Sequence, residues 1–413
     1  MTFRDWQQLS PDQAAHEVHT GVRSRLSAEQ QVAAVARLIP VEELATRLAA
    51  VPRDRPLAGI PYFTKDLFDV TGLPTSAGST FLPEVRPVTR DGALTRVLAH
   101  SGLALAGKSQ MNEFAYGITG ENAHFGDCER PGFPGRVSGG SSSGSAALVA
   151  AGVVPFATAS DTGGSVRLPA AFCGLFGFRG APHHEWIRDA FPLAPSFDTA
   201  GWFTASAGDM RLALSALVGL RGTERKPRGC YVELPGLDAE VAAAFRSAAE
   251  QLAPAADTAT ADELRHGFAR GADIYNAIAI TEAWAIHGAW AERFRERYDP
   301  AVWQRLMRIR SLTPGEIESA ETGMTAMRLL WTKFFLTFDF LILPASPSGA
   351  FTKAECTFEN RQRILALTAP ASIGGLPVLS LPVMLPSGLT TGLQVVVNSP
   401  QSPVLNWALE QWR

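Results

Sequence analysis

The sequence predicts one α/β domain carrying a helical insertion, and three patterns lead there. Around residues 90–107, TRDGALTRVLAHSGLALAGK reads as an amphipathic helix, a glycine stop and a strand too apolar for a sheet with one wet face. Near the end, FDFLILPASP and GLPVLSLPV read as buried strands closing in proline turns, and TTGLQVVV as a third strand. No internal repeat and no long linker divides the 413 residues, of which 46% are hydrophobic, enough for a large core.

The elements follow in order. Leu26, Val32, Val35, Leu38 and Leu44 recur at helical spacing within residues 10–50, and Ser10 before Pro11 is an N-cap followed by a first-turn proline. Residues 59–70 read as a strand pair or a strand plus turn. A helix is expected over 143–151 and a strand over 153–159, and residues 225–330 carry long helical patterns. The whole chain, 1–413, divides into N-terminal helices (1–58), a core (59–204), a variable helical region (205–330) and closing strands with a helix (331–413).

Composition narrows the function. The net charge of −3 gives no reason to expect nucleic acid or an anionic membrane as partner. The start, MTFRDWQQLSPDQAAHEV, lacks the basic and apolar segments of a signal peptide, and the longest apolar run, Ala146 to Ala159, is broken by Gly152 and Pro155. A cytoplasmic location is the expectation. Cys128, Cys173, Cys230 and Cys356 are far apart and read as packed thiols. The eight histidines show no metal-binding spacing, and His183-His184-Glu185 reads as an exposed loop, so neither metal nor cofactor is expected. Arg305, Arg308 and Arg310 form a basic stretch, read either as a solvated face or as capture of a substrate carboxylate.

Two segments carry the chemistry. From Gly59 runs GIPYFTKDLFDVTGLPTSAGS, and from Gly139 runs GGSSSGSAALVAAGVVPFATASDTGGSVRLPAAFCG. Apolar residues fill the middle of the second, so it belongs to a core. It presents hydroxyls on glycine turns and no histidine. A serine nucleophile needs a base, and Lys65 is the buriable candidate. An exposed lysine titrates near about 10.4, and burial could bring it down by several units. The turn Asp161-Thr162-Gly163-Gly164-Ser165 can supply a nucleophile and converging N–H donors together. Gly139 to Gly144 lacks both the P-loop lysine and the spacing of a dinucleotide fingerprint.

Together these segments resemble the amidase signature family, whose core pattern is roughly GGSSGGSAA…GTDTGGSIRxPAAFCG. Here the two serines stand 24 positions apart, as in that pattern. The likeness extends through GKSQMNEFAYG, SFDTAG, FDFLILPASP and GLPVLSLP, and is weakest over about 205–330. It implies a single amidase-signature domain with a central mixed sheet flanked by helices on both faces. It implies a Ser–cis-Ser–Lys triad: Ser165 as the acylated nucleophile, Ser141 after a cis peptide as relay, and Lys65 as base. The N–H groups of Thr162, Gly163, Gly164 and Ser165 would form the oxyanion hole, with Ser142, Asp161 and Arg167 in support. The substrate would be a small amide or ureido compound. A glutaminase-like subunit working with a partner and a non-catalytic scaffold remain the alternatives, and a homo-oligomer or small accessory subunit stays open. The chain departs from the pattern at Ser143, a variation similar to allophanate hydrolases, at FRGAP in place of LKPT, at Trp202 and at Ser372.

Overall fold

Ten strands make one sheet in the computed structural model, which describes residues 1–412. They are β1 (Val35–Leu38), β2 (Ile60–Lys65), β3 (Leu103–Ser109), β4 (Phe156–Asp161), β5 (Phe176–Arg179), β6 (Thr199–Thr204), β7 (Gly229–Tyr231), β8 (Phe340–Pro344), β9 (Val378–Met384) and β10 (Thr390–Val397). Their order is β1-β3-β2-β4-β6-β5-β9-β10-β8-β7. β2 runs parallel to both β3 and β4, and β7 runs parallel to β8; the other pairs are antiparallel, so the sheet is mixed.

Alternation along the strands explains why both faces are covered. Tyr62, Leu105 and Trp202 enter one hydrophobic core, whereas their neighbours Phe63, Ala106 and Phe203 enter a second on the opposite face. The second core takes the N-terminal helices and the helix Ser143–Ala150. The first takes the helices of the 239–335 region and the helix Phe358–Ile373. Every residue of β2, β3 and β4 is buried.

Several expectations hold locally. Ser10 caps the helix Pro11–Arg25 with Gln13 completing a capping box. Gly102 ends the helix Ala93–Ser101 with φ +100°, where a Cβ would lie 2.8 Å from the Ala58 nitrogen, so only glycine fits. Others need correction. Helical periodicity does not run through 35–38: the helix Ala28–Ala34 stops and Val35–Leu38 pairs with the outer edge of β3, tertiary pairing overriding the local pattern. Val32, expected on a buried face, is 54% exposed. The strand expected from 153 begins at Phe156, because Val153 N–H donates to Leu148 O in the closing turn of the preceding helix and Pro155 has no donor. The variable region opens on the helix Ala207–Val218, and an unexpected edge strand, β7, precedes its remaining helices. Pro382 lies inside β9 instead of ending it; β5 pairs only as far as Ser380, so one side of β9 is free there.

Candidate active site

The parallel strands β2 and β4 end side by side, β2 on Lys65 and β4 on Asp161, and the crevice beyond the ends of such strands is where open α/β sheets bind ligands. Lys65 is fully buried. Its Nζ lies 2.8 Å from Ser141 Oγ, 2.9 Å from Ser142 Oγ and 2.8 Å from Ser160 Oγ. The contrast with Lys108, on the adjacent strand, is informative. Lys108 is equally buried but has the Asp66 carboxylate at 2.7 Å. Lys65 has hydroxyls only. Burial therefore lowers its ammonium to about 7, against the weaker upward pull of Asp161 and Asp198.

The serine turn is held from several sides. The Gly140–Ser141 peptide is cis. Asn112, from the GKSQMNEFAYG segment, donates its N–H to Ser141 O at 3.2 Å and accepts from Gly120 N at 3.2 Å. A Cβ on Gly139 would lie 3.0 Å from Pro169 Cα, so this turn packs against the helix Arg167–Cys173 that follows Ser165.

Asp161 shapes the second turn. Its carboxylate accepts from the N–H groups of Gly164 and Val166, each at 2.9 Å. It also faces Arg167 Nη2 at 2.8 Å and Arg179 Nη1 at 2.9 Å, all three side chains being buried. Burial alone would raise this carboxyl, but Arg167 and Arg179 hold it well below the usual range. Ser372, at one departure from the family pattern, accepts from Arg167 Nη2 at 2.7 Å, and Trp202, at another, packs in the core against Phe178. Gly164 has φ +139°, and a Cβ on Gly163 would lie 2.6 Å from the Tyr275 ring, so both positions need glycine for different reasons.

Of the four N–H groups expected to face an oxyanion, the one on Gly164 is taken by Asp161. Those of Thr162, Gly163 and Ser165 have no acceptor among the described residues. Ser165 is 4% exposed, and no hydrogen bond joins its Oγ to Ser141 among the described residues. The structure thus joins Lys65, Ser141 and Ser142 directly and places Ser165 on the neighbouring turn.

Sequence reading missed Ser160, Arg179, Asp198, Tyr275 and Thr368. Asp198, inside SFDTAG, accepts from Thr162 Oγ1 at 2.5 Å, and Thr368 Oγ1 donates to Gly163 O. Arg179 had a signal, since FRGAP keeps the basic residue of LKPT. Tyr275 and Thr368 had none, because each touches the site from more than 100 positions away in sequence. Three cysteines are buried and Cys356 half-buried, all four free. Burial pushes the Cys128 thiol up to about 12 and Cys173 higher still, so neither offers a thiolate. His183 and His184 are exposed, and no cluster of metal-ligating side chains occurs among the described residues. No helix there is long and apolar enough to cross a membrane.

Asp161→Asn is expected to destabilise the fold by about 3–5 kcal/mol, since two buried guanidinium groups would lose their carboxylate. Urea unfolding at neutral pH measures it. The depressed Asp161 titration further predicts that this stability is fully present above the ordinary carboxyl range and is lost as pH falls from there down through the depressed folded-state value.

The fold is thus a mixed α/β sheet with hydroxyls gathered on a buried lysine at its strand ends. The chain belongs to the Amidase family, whose family model matches residues 22–401. It is 32% identical over 400 residues to a glutamyl-tRNA(Gln) amidotransferase subunit of Anaeromyxobacter dehalogenans, covering 85% of this chain and 81% of that protein. It is 42% identical over 164 residues to AtzE, a 1-carboxybiuret hydrolase subunit of a Pseudomonas species, covering 40% of this chain and 36% of that protein. A solved amidase superposes with a TM-score of 0.84 at 29% identity, covering 100% of this chain and 99% of that one. The family acts on carbon–nitrogen bonds.

Proposed function

We propose that this protein is a serine amidohydrolase that cleaves the amide or ureido bond of a small substrate through an acyl-enzyme on Ser165. The observation that carries this reading is the buried Lys65 amine, poised near neutrality among hydroxyls and without a carboxylate partner. Ser142 Oγ donates to Ser160 O at 3.1 Å, so it accepts from Nζ. A neutral amine has two protons and one lone pair. Donation to Ser142 and Ser160 leaves the lone pair for the Ser141 proton. Ser141 then accepts the proton of Ser165 as that oxygen attacks the substrate carbonyl. This last contact closes when substrate is bound, as catalytic hydrogen bonds do. The N–H groups of Thr162, Gly163 and Ser165 face the developing oxyanion. Lys65, now protonated, returns a proton through Ser141 to the departing amine, and water entering by the reverse path hydrolyses the acyl-enzyme.

An ammonia-release screen over small amides, ureido acids and aryl amides tests this. Release from at least one, lost in Ser165→Ala, is the expected result. Inactivity on all of them with correctly folded protein would favour a scaffold. The identity to an amidotransferase component sustains a second reading, in which glutamine is the amide and ammonia passes to a partner. Glutamine-dependent ammonia release that needs a co-purified protein would select it.

A further inference from the structure

The arginines of the variable region do not share one role. Arg310 points outward and pairs with Glu292 at 2.6 Å, both exposed. Arg305 turns inward, its Nη1 donating to Tyr116 O. Arg361, one turn into the helix Phe358–Ile373, lies over the Tyr116 ring at 5.9 Å. Its buried Nε has no partner. Arg308 stacks on Phe358 at 4.5 Å. None of Arg305, Arg308 and Arg361 has an ion-pair partner among the described residues, although most other arginines on this surface do.

These three line one cavity of about 200 Å³ with Thr119, Glu121 and Phe358. Glu121 is the acidic group there. Its Oε2 accepts from Thr119 Oγ1 at 2.8 Å, it pairs with no arginine, and burial raises its carboxyl. Three cations thus face one carboxylate that is already engaged. Arg308 and Phe358 also line a larger open cleft of about 1090 Å³, so the cavity adjoins a path from solvent. Helix geometry links it to the nucleophile turn. Thr368, which holds Gly163 O, lies two helical turns beyond Arg361, about 10 Å along the axis. The Tyr275 ring packs on Gly163 of that turn.

Resting on the amidohydrolase reading, we propose that Arg305, Arg308 and Arg361 form a carboxylate-binding subsite, so that the substrate is an amide with a carboxylate several bonds from the scissile carbon–nitrogen bond. Arg305 and Arg361 are half-buried and lack anions, Arg308 flanks them from the exposed rim, and a substrate carboxylate would complete the set with charge-assisted hydrogen bonds. Burial, with Arg361 adding to it, holds Arg305 down to about 9, which a bound anion would relieve.

Two measurements test the subsite, the first independent of turnover. Calorimetric titration of octanedioate into Ser165→Ala protein should show salt-sensitive binding, weakened at least tenfold by Arg361→Gln and by Arg308→Gln. Arg308 is exposed, so its variant keeps the fold even if Arg361→Gln does not. Next, half-amides of four- to eight-carbon dicarboxylic acids place the carboxylate on the acyl side, and N-acyl ω-amino acids place it on the amine side. One series should be preferred over its neutral analogues, and that preference should fall at least tenfold in Arg308→Gln. Octanedioate that fails to bind, or binds Arg308→Gln and Arg361→Gln as it binds the parent, overturns the subsite. Arginine-dependent binding with no amide turned over by the intact protein overturns the hydrolytic reading and leaves the anion site standing.

Discussion

Replacing Ser165 with alanine is expected to lower amide turnover by about 10⁴-fold or more while leaving thermal unfolding unchanged. Only one hydroxyl is lost, and among the described residues it holds no hydrogen bond that the fold would miss. The turn around it is set by other groups: the Asp161 carboxylate on the N–H groups of Gly164 and Val166, and Thr368 on Gly163 O. A fluorophosphonate should label Ser165, since its oxygen, unlike the Thr162 hydroxyl held by Asp198, is unengaged on a turn whose Thr162, Gly163 and Ser165 N–H groups have no acceptor among the described residues. Peptide mapping decides. Labelling of Ser141 with none on Ser165 would exchange their roles. Labelling of Cys173 would overturn the mechanism, a result its buried and raised thiol argues against.

The parts of this molecule legible in its sequence are those specified by neighbours in the chain. Gly102 stops a helix before β3 because a glycine C-cap is a local device. The two serine turns are likewise short segments, each carrying its own glycines and hydroxyls. What escaped depends on distant partners. Val35–Leu38 is a strand only because β3 offers a free edge. Gly229–Tyr231 is one because β8 does. At the site, nothing local marks Tyr275 as the wall against Gly163 or Arg361 as a member of a basic cavity, since both come from helices outside the serine segments. The arginine stretch shows the same limit. Its spacing permitted a solvated face or capture of a carboxylate, and tertiary packing divides it, with Arg310 paired on the surface and Arg305 and Arg308 lining the cavity proposed above as an anion site.

Lys65→Ala should reduce acylation by several orders of magnitude, and the pH profile should say why. As the base, Lys65 acts when neutral, so acylation by the intact protein should rise with pH through about 7 and level off above it. Amides should suffer more than esters, because an amine leaving group needs the returned proton and an alkoxide needs it less. Lys65→Arg should not rescue, since guanidinium stays protonated and its planar fork does not fit three hydroxyls arranged about one nitrogen. Stability gives a second view of the same proton. Between about 7 and the ordinary lysine value of 10.5, the unfolded chain holds a proton that the folded one has released. Stability from this group therefore rises with pH across that window and is lowest below it. Lys65→Met should remove the slope and gain most over the parent at acid pH, read as the urea midpoint against pH. Acylation rates against pH for the parent, Lys65→Ala and Lys65→Arg are the decisive set. Near-parental amide hydrolysis by Lys65→Ala at neutral pH would mean that a group other than Lys65 is the base that drains the Ser141–Ser165 relay, even if the stability slope behaved as expected.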